Sequence, residues 1–446
     1  VSLKRLAMAA ALVLLPALTG GCTSAPQEKE NVSLKAIVSR ADEFRNQIAA
    51  PFESANPGIQ LEVIELPNDK MMDRDYVQSV MEREAPDLMQ LDYFVFAGMA
   101  AAGKLASLED FLPVREAEQS RLHPPLLEAV RHYGNGALYG IPVAFSNNIV
   151  FYNRTLLDET GASYPADGMS WGQLMELSAT ILPEDKQQRK VWGFYAPDWS
   201  AFTLPIKIAF SEELRWIDPA KRQVTLDTEA WRELAGMVKE ALDLKRIYDT
   251  PAAVTEFKDH EGNVTGSGVT PEDMYAPFLK GQVAMTLGSP VLWELLEKER
   301  PAFEWGTAAA PADSATGKKT AYLQAGMLNA IPAGSPHAEE AKQLLTFMYN
   351  DANQARAAES VGMLPLNPAL QKDDRALAFY RQQPAAAGYY EIQPDIPPEL
   401  TEAFIRAFEQ AWTAIAADKK TVEQAFADMQ AELQLAADEK LPAEAE

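Results

Sequence analysis

The sequence predicts an α/β protein of two lobes, and three observations carry that prediction. About 425 of its 446 residues follow Gly21, too long a stretch for one ordinary core. Strand-like and helix-like segments alternate along the chain, the pattern of mostly parallel sheets with crossover helices. The composition is that of a globular chain, 47% hydrophobic, 9% aromatic and 23% charged.

The elements follow in order. Leu34 to Val38 reads as a buried first strand, and residues 42–55 as a helix stopped by Asn56-Pro57-Gly58. Ile59, Leu61 and Val63 alternate as a second strand. A helix near 70–84 leads into a third strand at 87–91. Ser170 and Gln173 form a capping box, and 191–195 reads as a strand. Trp231, Leu234, Val238 and Leu242 make a helical stripe, and Thr270-Pro271 starts another helix. Strands are predicted at 283–287 and 303–308, a helix opened by Ser335-Pro336, and a last helix capped by Thr421 and Gln424. The polar, glycine-rich stretch 255–270 reads as a surface loop, and the final DEKLPAEAE as a solvated tail.

Ahead of the first strand, Lys4 and Arg5 precede an apolar run from Leu6 to Leu18, and Cys22, the only cysteine, ends Leu18-Thr19-Gly20-Gly21-Cys22. A basic region, a short apolar region and small residues before a cleavage point make a secretory signal. The run is 13 residues and contains Pro16, whereas spanning a bilayer takes about 20. The expected limits are a signal over 1–21 and a flexible tether over 22–33.

Formal charge is −24, and −26 once Lys4 and Arg5 are removed. Such a chain repels phosphate backbones, which argues against a nucleic-acid partner and against adsorption to anionic lipid by charge. A single cysteine supports neither a disulfide framework nor a thiolate metal site. Gly103-Lys104 and Gly317-Lys318 lack the spacing of a phosphate loop. His123, His132, His260 and His337 are scattered, and no Gly-x-Ser-x-Gly elbow occurs. No cofactor, metal or catalytic residue is expected. With 64 acidic residues, carboxylate pairs arise by chance and do not argue for a glycosidase.

Four stretches carry a family resemblance: Pro57-Gly58-Ile59; Ala85-Pro86-Asp87-Leu88-Met89-Gln90-Leu91-Asp92; Leu138-Tyr139-Gly140-Ile141-Pro142 with Phe151-Tyr152-Asn153-Arg154 and Leu157-Asp158-Glu159-Thr160-Gly161; and Phe278-Leu279-Lys280-Gly281-Gln282-Val283-Ala284-Met285 with Ala330-Ile331-Pro332-Ala333-Gly334-Ser335. In this order they resemble extracellular solute-binding protein family 1, the maltose and multi-sugar lineage of ABC importers. The resemblance implies a periplasmic-binding-protein-like fold, two α/β lobes joined by crossing strands with the ligand cleft between them. Lobe 1 would be 34–146 and 326–365, lobe 2 would be 147–325 and 366–446, and the crossings would run over 147–153 and 322–331. It also implies a monomer that hands a sugar or oligosaccharide to ABC permease transmembrane subunits on the extracytoplasmic side. Similarity to the lipobox implies diacylglycerol on Cys22, which would be the mature N-terminus and the link to the membrane. Thr19 and Gly20 stand where that motif usually has Leu and Ala or Ser.

Sugars present hydroxyl rims and apolar faces, so their sites need amides or carboxylates beside aromatic planes. Residues of those types at strand ends map onto ligand-contacting loops of the proteins this chain resembles: Arg40, Asp42, Asp92, Tyr93, Phe145, Asn147, Asp198, Trp199, Ser289, Trp293 and Gly326. Asp42 and Asp92 read equally as helix caps. Trp199, on a loop beside Asp198, is the strongest stacking candidate. Trp231 and Trp412 sit on apolar helical faces and read as core, and Trp171 as packing at a helix start. Two departures weaken a specific sugar: Ser289-Pro290-Val291 and Met327 stand where such proteins often place aromatics. The competing readings are a lipid-anchored carbohydrate hydrolase and a binding protein serving a sensor kinase.

Overall fold

The computed structural model describes residues 31–111, 120–181, 184, 188–197, 203–249, 254–258, 264–320, 323–384 and 396–441. The leader with Cys22, Asp198, Trp199, Tyr322 and the last five residues lie outside them.

In chain order the principal strands are β1 (Val32–Val38), β2 (Ile59–Glu65), β3 (Leu88–Leu91), β4 (Gly140–Pro142), β5 (Phe145–Ser146), β6 (Ile149–Asn153), β7 (Trp192–Tyr195), β8 (Val283–Gly288), β9 (Trp305–Ala308), β10 (Gln324–Ala325) and β11 (Leu328–Ala330). One five-stranded sheet has the order β2-β1-β3-β11-β4, and a four-stranded sheet the order β9-β6-β8-β7. β1 pairs in parallel with both β2 and β3, and β11 runs antiparallel between β3 and β4. This is the predicted α/β alternation with one late strand inserted.

Local chemistry sets the helix limits. Asp73 accepts from Tyr76 N at 3.0 Å and starts the helix Arg74–Glu84, which Ala85 ends in the left-handed region at φ 45°. Asn153 caps Arg154–Thr160, and Gly161 stops it at φ 72°. Both predicted capping boxes form, Ser170 with Gln173 and Thr421 with Gln424. The helix read over 42–55 is in three pieces, Ala41–Phe44, a π-helical turn Arg45–Ala49, and Ala50–Ala55 with Pro51 in its first turn.

Four local readings need correction. β1 begins at Val32, inside the predicted tether, because Val32 N bonds Gly58 O and its register with Ile59 continues the ladder. Stretch 255–270 is no plain loop: Thr255–Lys258 and Val264–Gly268 pair as an antiparallel hairpin. Ser335 does not cap the helix Ala338–Met348; its hydroxyl is drawn 2.7 Å from Asp87 instead. Asp42 caps nothing, since the helix opens at Ala41 after Arg40.

Among the described residues the chain passes between the sheets three times. β5 and β10 form a two-stranded antiparallel ladder. Residues 149–153 already belong to the second sheet and 328–330 to the first, so the paired crossing is shorter than the expected spans and starts before 147. A third passage follows Leu364, whose backbone exchanges both hydrogen bonds with Phe145, and continues through Asp374–Tyr380.

The hydrophobic clusters do not divide at these crossings. Phe151 points into the cluster that contains Ile37, Leu88 and Leu328. Its neighbour Val150 points into the other, with Phe194, Phe404, Phe408 and Phe426. Alternation along one strand therefore buries each face of the second sheet in a different core. Trp171, Trp231 and Trp412 are buried in the second cluster, as predicted. No helix among the described residues is long and apolar enough to cross a membrane.

Candidate functional site

A cavity of about 290 Å³ opens at the carboxyl edge of the first sheet. Ser39 and Arg40 reach it from the end of β1, Gln90 from β3, Val143 and Ala144 from beyond β4, and Gly326, Met327 and Asn329 from the return into β11. Met348, Tyr349, Ser360, Val361 and Met363 close it from the helices Ala338–Met348 and Asp351–Ser360 and their flanks. Open α/β sheets bind ligands at this edge because the strand-to-helix loops diverge there.

The charged groups of the wall are engaged with one another. Arg40 Nη1 donates to Glu43 Oε2 at 2.8 Å and to the Ser360 carbonyl at 3.2 Å. Gln47 Nε2 adds a 3.3 Å bond to Glu43. Burial pushes the Glu43 carboxyl up, but hydrogen bonds from Ser360 and Arg40 and the Arg40 charge outweigh it, so its pKa lies below the ordinary value.

The floor is a buried polar relay. Asn329 Nδ2 donates to the Tyr349 hydroxyl at 2.8 Å, and that hydroxyl donates to Ile141 O at 2.7 Å. Burial drives the Tyr349 phenol far above its usual pKa, with the Asn329 bond opposing. Asn329 is 0% exposed and its Oδ1 has no hydrogen-bond partner among the described residues.

Of the predicted contacts, Arg40 and Gly326 line this cavity. Gly326 N bonds Ala144 O at 2.8 Å, and a Cβ there would lie 2.8 Å from the same oxygen, so no larger residue fits. Asp42 is exposed, pairs with Arg45 at 3.0 Å and stays outside the lining. Asp92 accepts from Phe94 N at 2.9 Å as the cap of Tyr93–Ala101, and Tyr93 packs on Tyr133 with ring centres 5.9 Å apart. Phe145 offers no free face: it is fully buried, stacked on His123 at 4.8 Å and edge-on to Tyr380 at 5.1 Å. Asn147 is buried in the crossing and donates to Phe379 O at 2.9 Å.

Asp198 and Trp199 lie outside the described residues, and Ser289 and Trp293 follow β8, at the start of and within the helix Pro290–Glu299. Ser289 caps no helix with its side chain and lies 3.3 Å from the Tyr275 hydroxyl. Trp293 meets Trp305 edge-on at 5.1 Å, and the Arg375 guanidinium lies 5.2 Å from its ring. Gln90, Asn329, Tyr349, Met348 and Met363 were not read from sequence; Met327 was, as the residue standing where similar proteins place an aromatic. The available signal was a lone amide inside each buried apolar strand, Met89-Gln90-Leu91 and Leu328-Asn329-Ala330.

One Ser/His/Asp grouping bears on the hydrolase reading. Asp87 accepts from Ser335 Oγ at 2.7 Å and Lys35 N at 2.9 Å, and lies 3.3 Å from His337 Nδ1. The serine proton goes to the carboxylate, not to an imidazole, so the nucleophile–base contact of a triad is missing. The group staples the loop before Ala338–Met348 to the amino edge of β3, opposite the cavity. Among the described residues, no cluster of three or more His, Cys, Asp and Glu could hold a metal.

Comparison with known proteins agrees with this architecture. Residues 47–387 match the model of a family described as bacterial extracellular solute-binding protein. A Brucella abortus protein named as a binding protein is 22% identical over 392 residues, 84% of each chain. The mannitol-binding protein of Pseudomonas aeruginosa is 24% identical over 393 residues, 85% of this chain and 81% of its own. The structure of the sugar-binding protein MalE from Xanthomonas citri superposes with a TM-score of 0.67 at 17% identity, covering 92% of this chain and 98% of that one. The fold is thus periplasmic-binding-protein-like.

Proposed function

The chain belongs to the bacterial extracellular solute-binding proteins, and from that premise we propose that it captures a sugar or polyol outside the cytoplasm and delivers it to an ABC importer. The observation that carries this reading is the cavity at the carboxyl edge of the first sheet, beside the strands by which the chain crosses to the second. Two faces hinged by such crossings can enclose a small solute from both sides. The mannitol- and sugar-binding relatives support a hydroxylated ligand. The lobes of this proposal keep the limits 34–146 with 326–365 and 147–325 with 366–446. Asp198 and Trp199 supply a carboxylate and a stacking plane from the second lobe, and Cys22 carries the lipid that holds the protein at the membrane.

The test is a thermal-shift screen over mannitol, glucose, maltose and maltotetraose, followed by small-angle scattering with any hit. Binding raises the melting temperature by mass action, and closure shrinks the radius of gyration. Stabilisation with an unchanged scattering profile would refute hinge closure. Turnover of the bound glycan would instead favour a hydrolase. Trp199→Ala should weaken binding by roughly tenfold to a hundredfold.

A further inference from the structure

We propose that the cavity at the carboxyl edge of the first sheet takes a hydrocarbon group of roughly six to twelve carbons, the apolar end of an amphiphilic solute. The inference rests on the solute-binding reading above and adds to it the chemistry of one end of the solute.

The wall points to this guest. Met71, Val143, Met327, Val361 and Met363 line the cavity, and each keeps part of its surface open. Met348 is buried behind them. The five open side chains come from four separate stretches of the chain, so the fold builds this apolar face and no single local run does. Apolar surface left in water is unfavourable, and a guest that covers it gains in proportion to the area removed. Thioethers are polarizable and unbranched, so Met71, Met327 and Met363 can repack around a chain or a ring.

The polar groups of the lining are already engaged. Arg40 pairs with Glu43 at 2.8 Å, and Gln47 and Ser360 complete that network. Asn329 and Tyr349 belong to the relay beneath, and Asn329 is fully enclosed. Ser39, Asn68 and Gln90 are the polar side chains of the lining outside both networks. They are too few to pair the hydroxyls of a whole sugar buried there, and each buried hydroxyl without a partner is costly. A charged group would have to break the Arg40–Glu43 pair. A hydrocarbon group disturbs neither network, and the hydroxylated part of the solute stays outside the cavity.

Size sets the range. A dry apolar cavity of about 150 Å³ holds one benzene ring. At about 290 Å³ this cavity holds roughly twice as many carbons.

Titration calorimetry of the purified full chain tests the proposal, with butane-, hexane- and octane-1,2-diol, glucose, mannitol and hexyl glucoside as probes. Each two-carbon step along the diols should tighten binding about tenfold, the effect of burying two methylenes. Hexyl glucoside should bind at least about tenfold more tightly than glucose. Val361→Asp and Met363→Gln should each weaken octanediol binding at least about fivefold, with melting without ligand verifying that they fold. If Met363→Gln does not fold, Val361→Asp, at a position 40% exposed, decides. A flat diol series, or diol affinity unchanged in the folded variants, overturns the apolar site. Should glucose or mannitol bind in that case, the carbohydrate reading stands without it. Chain-length dependence in the diols with no binding of glucose, mannitol or hexyl glucoside supports the apolar site and overturns the carbohydrate reading.

Discussion

The guanidinium carbon of Arg375 lies 3.8 Å from the centre of the Trp305 ring. Asp373 holds it there through bonds of 3.1, 3.1 and 2.7 Å. Thr307 Oγ1 bonds the Arg375 carbonyl at 2.7 Å, so the third passage between the sheets is fastened to β9 by side chain and backbone together. Gln382, seven residues on, adds a second fastening by exchanging hydrogen bonds with Ala310 N and O.

Arg375→Ala should therefore destabilise the fold by about 1–2 kcal/mol, the loss of a stacked cation at a half-exposed site. Arg375→Lys should recover less than half of that, because an ammonium has no plane to lay on the ring. Urea unfolding of the three proteins measures it. An unchanged midpoint in the alanine variant would mean that the stack contributes nothing.

Tyr349→Phe removes one hydroxyl and strands two buried groups, Ile141 O and Asn329 Nδ2. The expected cost is about 1–3 kcal/mol, read by chemical unfolding. A neutral outcome would show that the relay is not stabilising.

His123 gives the fold an acid sensitivity. Its ring is 3% exposed between Phe145 and Tyr380, and burial lowers its pKa to about 4. The unfolded chain takes up the proton near the ordinary value of about 6.5. Between those values the unfolded state binds more protons, so stability falls as pH drops from 6.5 toward 4. The integrated loss is on the order of 3 kcal/mol. His123→Asn, which tolerates the left-handed backbone at φ 48°, should flatten this part of the profile. Identical slopes of unfolding free energy against pH in the two proteins would assign the acid lability to carboxylates instead.

Cys22→Ala should move the protein from the membrane fraction to the soluble one, or block its processing. The leader before Cys22 motivates this expectation. Metabolic lipid labelling that persists in the variant would rule it out.

Much of the second-layer detail was legible because it is local. The two capping boxes, the Thr270 cap with Pro271, and the core positions of Trp231 and Trp412 each depend on residues within a turn or on one helical face. Asp92 was legible only as a pair of alternatives, since a cap and a ligand contact need the same carboxylate at the same strand end. Phe145 misled for a related reason. Its place before a crossing strand fits a cleft, yet His123 and Tyr380, far away in sequence, enclose its ring.

The sequence by itself determined the α/β order, the caps at Ser170, Thr270 and Thr421, and the family, because periodicity, caps and short motifs are written in neighbouring residues. Only the tertiary structure decided the cavity. Arg40, Gln90 and Asn329 share a wall because β11 returns from the far end of the chain and inserts antiparallel between β3 and β4. That pairing sets Asn329 opposite Gln90 on one side and Ile141 on the other. Long-range register is fixed by packing across the sheet, which no local pattern encodes.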